Sequence, residues 1–231
     1  MKCVIFCGGK GSRMSDLTED LPKPLIEIGG RPVLWHIMKT YSCHGVNEFI
    51  LCLGYRADKI KEYFENNPVE WSVNLVDTGE NTTKAERLLM IKDYIEEDNF
   101  CVSYGDDVSS IDLTNLFEFH KSHGKIATIT AIHPQNPFGV IEIENRIIKE
   151  FKEKPLMKEW INGGYMVFNK KIFDYIESCD DLEKEVFEKL VVQGELCAFE
   201  HHGFWKGMNT LKDTLELKEL WENGKAEWKV W

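Results

Sequence analysis

Short hydrophobic blocks separated by longer amphipathic stretches organise the first hundred residues of the chain. Val4-Ile5-Phe6-Cys7, Glu48 to Leu53, Trp71 to Val76 and Phe100 to Tyr104 are apolar or alternating runs of strand length. Between them the spacing changes. Val33, Leu34, Ile37, Met38 and Tyr41 form a buried helix stripe, with Pro32 suited to its first turn. Ile60, Tyr63 and Phe64 mark a second helix, and Ala85, Leu88, Leu89, Ile91 and Ile95 a third. This alternation predicts an α/β fold, a doubly wound and mostly parallel sheet of Rossmann-like type.

From about residue 125 strand signals crowd together: Ile126 to Ile132, Phe138 to Ile143, Ile147 to Phe151 and Tyr165 to Phe168. They predict antiparallel ribbons in a small strand-rich lobe. Helices are expected again at about 170–178, 183–193 and 210–222, the last opening with a capping box at Thr210-Leu211-Lys212-Asp213. No linker, repeat or low-complexity tract interrupts the chain, so residues 1–231 are expected to form a single domain with halves at about 1–124 and 125–231.

The 231 residues are 43% hydrophobic and 29% charged, enough to bury one substantial core. No run of eighteen apolar residues occurs, and Met1-Lys2-Cys3-Val4-Ile5-Phe6 leads straight into a glycine loop. A soluble, cytoplasmic protein that engages no membrane is the expectation. The seven cysteines are scattered without a C-x-x-C pair, which indicates reduced core residues and neither zinc nor a disulfide framework. A net charge of −11 opposes binding along a nucleic acid backbone, and calls for a divalent cation if the chain holds a small polyanion.

Such a site is suggested by residues 8–24, GGKGSRMSDLTEDLPKP. Gly8, Gly9 and Gly11 remove side chains where backbone must approach a bulky group, and permit the positive φ that aims successive N–H groups at one point. Lys10, Arg13 and Lys23 bring cations to the same mouth, and a triphosphate is the natural guest. Two familiar phosphate loops are excluded by spacing. The dinucleotide fingerprint needs a glycine where Met14 stands, and the other loop needs Gly-Lys-Ser/Thr where Gly11-Ser12-Arg13 stands. In open parallel sheets ligands bind at the carboxyl ends of strands, and Tyr104-Gly105-Asp106-Asp107 arrives at that edge too. Asp106 is thereby the first candidate for a Mg²⁺ ligand.

In order along the chain, GGKGSR, PKP, YGDD, FKEKP, NGG and FWKGMNT resemble the bacterial sugar-phosphate nucleotidyltransferases. EIGGRPVLWHIMKTYS, LVDTG, QGELCAFEHHGFW and ELWENGKAEWKVW are similar to the glucose-1-phosphate cytidylyltransferase branch of that family. The resemblance implies transfer of CMP from CTP to a sugar 1-phosphate, glucose 1-phosphate first, with release of pyrophosphate and use of Mg²⁺ or Mn²⁺. It places the nucleotide in the first half of the domain and the sugar phosphate in the second. It implies that Gly8, Gly9, Lys10, Gly11, Ser12, Arg13, Lys23, Arg87 and Asp106 bind the nucleotide, with Arg13, Lys23 and Asp106 catalytic. Gly139, Glu153, Lys154, Asn162 and Gly163 would contact the sugar phosphate, and Asp106 and Asn209 the metal. The product would be a CDP-sugar for surface polysaccharide or deoxysugar synthesis; a homo-oligomer is left open. Taken on its own residues, Gly163-Gly164 reads as a strand kink or bulge.

Two positions depart from the family pattern. Asn209 stands where an aspartate is usual, and can instead cap the helix that follows. Ala85-Glu86 replaces a glycine pair in the segment that recognises the base. UTP or dTTP, another sugar phosphate, or a non-catalytic nucleotide-sugar sensor are therefore the alternatives. His201-His202 is not expected to hold metal, because adjacent strand residues face opposite ways. His36 is expected to be structural, Trp205 to border the site, and Trp221, Trp228 and Trp231 to pack the C-terminus or a subunit contact.

Overall fold

A computed structural model describes residues 1–11 and 21–231. Thirteen strands are present among them: β1 (Lys2–Phe6), β2 (Glu27–Ile28), β3 (Arg31–Pro32), β4 (Glu48–Leu53), β5 (Ser72–Asp77), β6 (Asn99–Tyr104), β7 (Asp107–Ser109), β8 (Ala127–Ile132), β9 (Val140–Glu144), β10 (Ile147–Lys152), β11 (Ile161–Asn169), β12 (Leu196–Glu200) and β13 (Trp205–Gly207). Seven build the central sheet in the order β12-β8-β11-β6-β1-β4-β5. β1 runs parallel to both β4 and β6, β4 to β5, and β12 to β8; β11 alone is antiparallel to its neighbours. After β5 the chain returns to the other side of β1, so the order reverses at the β1/β6 boundary. A ligand crevice belongs there.

Both faces of the sheet are covered, which is why its central strands read as unbroken apolar runs. Within β1, Cys3 and Ile5 point into one buried cluster and Val4 into the other. The first cluster is closed by α1 (Val33–Cys43), α2 (Ala57–Asn66) and α4 (Leu113–His123). The second is closed by α3 (Lys84–Met90) and α5 (Phe187–Val192); α6 (Leu211–Glu222) contributes Leu217 to the first. Pro32 stands at the N-cap of α1, one residue ahead of the first turn.

Several expectations are corrected. The third helix ends at Met90, and a 3₁₀ turn at Lys92–Tyr94 carries Ile95 into the same cluster as Ala85, Leu88 and Ile91 without another helical turn. Residues 170–175 form a 3₁₀ turn, and a π-turn at Leu182–Val186 runs into α5. Of the four strands expected in antiparallel ribbons, β8 and β11 do pair antiparallel, but as part of the main sheet. Only β9 and β10 leave it as a ribbon, whose register shift between Ile148 and Glu150 puts Ile141, Ile143, Ile148 and Phe151 on one exposed face. Gly164 has a φ of +81°, and the β11 register against β8 shifts between Asn162 and Met166, which is the bulge that Gly163-Gly164 suggested. α4 has no counterpart in the expected elements.

The C-terminal tryptophans gather on α1. Trp228 is fully buried and its Nε1 donates to His36 Nδ1 at 3.4 Å, so His36 Nε2 donates to the Ile28 carbonyl at 2.8 Å. Burial holds this imidazole below its ordinary pKa and neutral. Cys3, Cys7, Cys52 and Cys101 are buried thiols, whereas Cys43 and Cys179 are exposed rather than in the core.

Candidate active site

A cavity of about 650 Å³ opens where β1 and β6 end, lined by Gly8, Gly9, Gly11, Lys23, Asp106 and Asn209 among others. The glycines do different jobs. Gly11 alone of the three has positive φ, +60°. Gly8 instead yields room to Arg87, since an added Cβ would lie 2.2 Å from Arg87 Nη1. Arg87 is 4% exposed, and Nη1 donates to the Leu53 carbonyl at 2.8 Å and to Thr78 Oγ1 at 2.5 Å. Its guanidinium, whose pKa burial lowers, reaches the cavity wall from beneath the loop. Packed against Gly8, it ties the end of β4 to the turn after β5. Lys10 makes a second tie there, 2.9 Å from Glu80 Oε1. Ser12 and Arg13 lie outside the described residues.

Lys23 sits in a 3₁₀ turn that Pro24 helps to start. Its ammonium donates to Asp106 Oδ2 and, at 3.1 Å, to Asn209 Oδ1. Pairing of β13 with β7 sets Gly207 opposite Asp107, and the Met208 N–H donates to the Asp106 carbonyl at 2.9 Å. That backbone contact delivers Asn209 to Asp106. Asn209 does not cap α6: Thr210 does, accepting from the Asp213 N–H while Asp213 Oδ2 accepts from Thr210 N. Asp107 is buried behind them, and burial together with the Asp106 charge pushes its carboxyl well above the usual carboxylate range.

The donor set suits a hard divalent cation, for the Asp106 carboxylate and the Asn209 amide oxygen already converge on one positive group. Among the described residues no three His, Cys, Asp or Glu side chains gather as ligands. Substrate phosphates and water would complete such a shell.

The residues expected on the sugar side divide. Asn162 lines the cavity, and the Gly163 carbonyl accepts from Trp205 Nε1 at 2.8 Å, which holds that ring at the rim. Gly139, Glu153 and Lys154 meet one another at the root of the β9/β10 ribbon. Lys154 Nζ is 3.9 Å from Glu153 Oε1, and a Cβ on Gly139 would be 3.1 Å from Glu153 Oε2. They do not line the cavity, and the ribbon they adjoin is a separate two-stranded sheet. An adjoining cavity of about 630 Å³ shares Trp205 and Asn209 with the first. His201 Nε2 lies 3.1 Å from both Ser109 Oγ and the Phe204 carbonyl, while His202 is exposed near Glu200; the two imidazoles share no site.

Lys84 and Thr83, which fall in none of the motifs read from the sequence, also line the cavity, as does Tyr104 of the Tyr104-Gly105-Asp106-Asp107 run. Thr83 had a legible signal, since Thr83 with Glu86 forms a capping box on α3.

The model of the nucleotidyl transferase family matches residues 2–224. The chain is 44% identical to the glucose-1-phosphate cytidylyltransferase of Salmonella typhi over the full length of both, and 42% identical to a relative in Bacillus subtilis (strain 168), again over the full length of both. It is 32% identical to the mannose-1-phosphate guanyltransferase of Schizosaccharomyces pombe, across 93% of this chain and 62% of that one. Among solved structures, HddC from Yersinia pseudotuberculosis complexed with GMP-PN superposes with a TM-score of 0.76 at 25% identity, over 95% of this chain and 99% of that one.

Proposed function

Since the chain belongs to the nucleotidyl transferase family, we propose that it moves CMP from CTP to a sugar 1-phosphate, glucose 1-phosphate first, forming a CDP-sugar and pyrophosphate. The observation that carries this reading is the meeting of Lys23, Asp106 and Asn209 at the mouth of the glycine loop. A phosphate monoester has a second pKa near 6, so at neutral pH most of the acceptor already presents an anionic oxygen. That oxygen forms a bond to the α-phosphorus of CTP as the bond to the β-phosphate oxygen breaks. No side chain needs to act as general base. The protein's task is alignment and charge.

In this reading the backbone of Gly8 to Gly11 carries the triphosphate, with Ser12 and Arg13 continuing the grip toward the leaving groups. Arg87 keeps that loop in place from below. Lys23 offsets the repulsion between the two phosphates, and Asn162 with Gly163 orients the sugar. Glu153, Lys154 and Gly139 would join the acceptor from the ribbon root. Asp106 and Asn209 would hold Mg²⁺ or Mn²⁺, which when bound supplies positive charge to phosphate oxygens.

A panel of the four nucleoside triphosphates with several sugar 1-phosphates, in Mg²⁺ or Mn²⁺, read as pyrophosphate release, tests the proposal. CTP with glucose 1-phosphate should turn over fastest. Preference for UTP or dTTP would keep the chemistry and reject the base, which the Ala85-Glu86 departure makes a specific concern. No pyrophosphate from any pair, with CTP or CDP-glucose still bound, would make the chain a sensor.

A further inference from the structure

One carboxylate that does not itself line the cavity connects two of its walls. Glu183 Oε1 accepts from Lys84 Nζ and from Tyr104 Oη, each at 2.5 Å. Tyr104 Oη in turn accepts from Asn162 Nδ2 at 3.0 Å, and Asn162 Oδ1 accepts from the Gly164 N–H at 2.9 Å. Lys84, Tyr104 and Asn162 all line the cavity. Glu183 thus joins the start of α3, on the nucleotide side, to the end of β6 and the β11 bulge, on the acceptor side.

The backbone around these groups is already secured. Thr83 caps α3, and its hydroxyl donates to the Asp180 carbonyl at 2.6 Å. Asp181 Oδ1 accepts from the Glu183 and Lys184 N–H groups, capping the π-turn. What remains free is the direction of the Lys84 side chain, 39% exposed, and Glu183 sets it. The ammonium is 5.1 Å from the centre of the Tyr104 ring, so the ring and the carboxylate hold it from two sides. An ammonium has three donors, and those not engaged by Glu183 can serve a substrate oxygen. Burial, then the Glu183 charge, raises the Tyr104 pKa, so its hydroxyl stays a donor.

Stability alone does not account for Glu183. Both of its side-chain donors converge on Oε1, while Oε2 is buried without a hydrogen-bond partner among the described residues. The carboxylate thus directs both hydrogen bonds to groups that line the cavity. We infer that Glu183 is a positioning residue that fixes Lys84 as a further cation, besides Lys23, on a phosphate oxygen of the substrates, and aligns Asn162 through Tyr104. The inference rests on reading this cavity as a nucleotidyl-transfer site.

The test is a double-mutant cycle in the full chain: Glu183→Gln, Lys84→Met, the pair together, and Lys84→Arg. Steady-state kinetics with CTP and glucose 1-phosphate are read beside melting temperature. Each single change is expected to lower kcat/KM by about 10- to 100-fold, mainly through kcat, because a misplaced cation costs the transition state more than the ground state. The double variant should be no worse than about twofold below the weaker single variant, and Lys84→Arg should recover about tenfold over Lys84→Met. Normal kcat/KM in Glu183→Gln, multiplying losses in the pair, or a loss that vanishes at a temperature where the variant is fully folded each overturns the inference. Should Glu183→Gln fail to fold, Lys84→Met and Tyr104→Phe decide, and wild-type kinetics in both would overturn it. A wild-type chain inactive with every substrate pair would sink the transfer reading and this inference together, whereas an active wild type matched by its variants would sink this inference alone.

Discussion

Gly8→Ala probes the close contact between the glycine loop and Arg87. The new methyl carbon would lie 2.2 Å from Arg87 Nη1, 2.5 Å from Cζ and 2.6 Å from Nη2. To reach ordinary van der Waals separation the guanidinium must retreat by about 1 Å or more. Overpacking of this kind costs about 1–3 kcal/mol. The retreat also weakens the bonds from Nη1 to the Leu53 carbonyl and Thr78 Oγ1, and losing one charge-assisted bond costs about 1.5–3 kcal/mol. The sum is about 2.5–6 kcal/mol, which for a domain of this size lowers Tm by roughly 5–24 °C. Urea denaturation and thermal melts, with and without CTP, measure it. Gly9→Ala is the control, because an added Cβ there meets nothing within 4 Å, and it should change stability by less than about 0.5 kcal/mol. If Gly8→Ala matched Gly9→Ala, the claim that Arg87 supports the loop through that close contact would be refuted.

Lys23→Ala should cost about 10²–10³ in kcat in the pyrophosphate assay, the size of one lost electrostatic stabiliser, with the fold retained by circular dichroism. Asn209→Asp adds a carboxylate beside Asp106 and should tighten Mn²⁺ binding about tenfold in a paramagnetic titration, whereas an unchanged affinity would remove Asn209 from the cation site. His120 is buried against Thr128 and Asn99, and burial takes its pKa from 6.5 to about 4. As pH falls below 6.5 the unfolded chain binds this proton first, so the contribution is complete above about 6.5 and disappears toward 4. About 3 kcal/mol is at stake, and His120→Gln should flatten the stability profile across that window in urea titrations.

Local backbone demands were legible in the amino-acid order. β4 falls on Glu48–Leu53, α1 begins at Val33, and the Thr210 cap opens α6, because strand period, helix stripe and cap each act within a few residues. α4 had the same kind of signal, with Asp112 as N-cap, Leu113, Leu116, Phe117 and His120 on one face, and Gly124 left-handed beyond its end. Gly8 to Gly11, Lys23 and Asp106 were marked as phosphate chemistry by residue type at a strand end. The reason Gly8 is glycine was not visible, since Arg87 approaches it from 79 positions along the chain.

Only the tertiary structure decided which charges meet. Lys23 reaches Asp106 across 83 residues and Asn209 across 186, and Glu183 reaches Lys84 across 99. These separations leave no trace in any local period. They are set by strand pairing, β13 on β7 and β11 between β6 and β8, whose order depends on burying both faces of one sheet. The sequence determined that β1 ends in a glycine-rich loop; packing of the whole sheet determined which cations and carboxylates surround it.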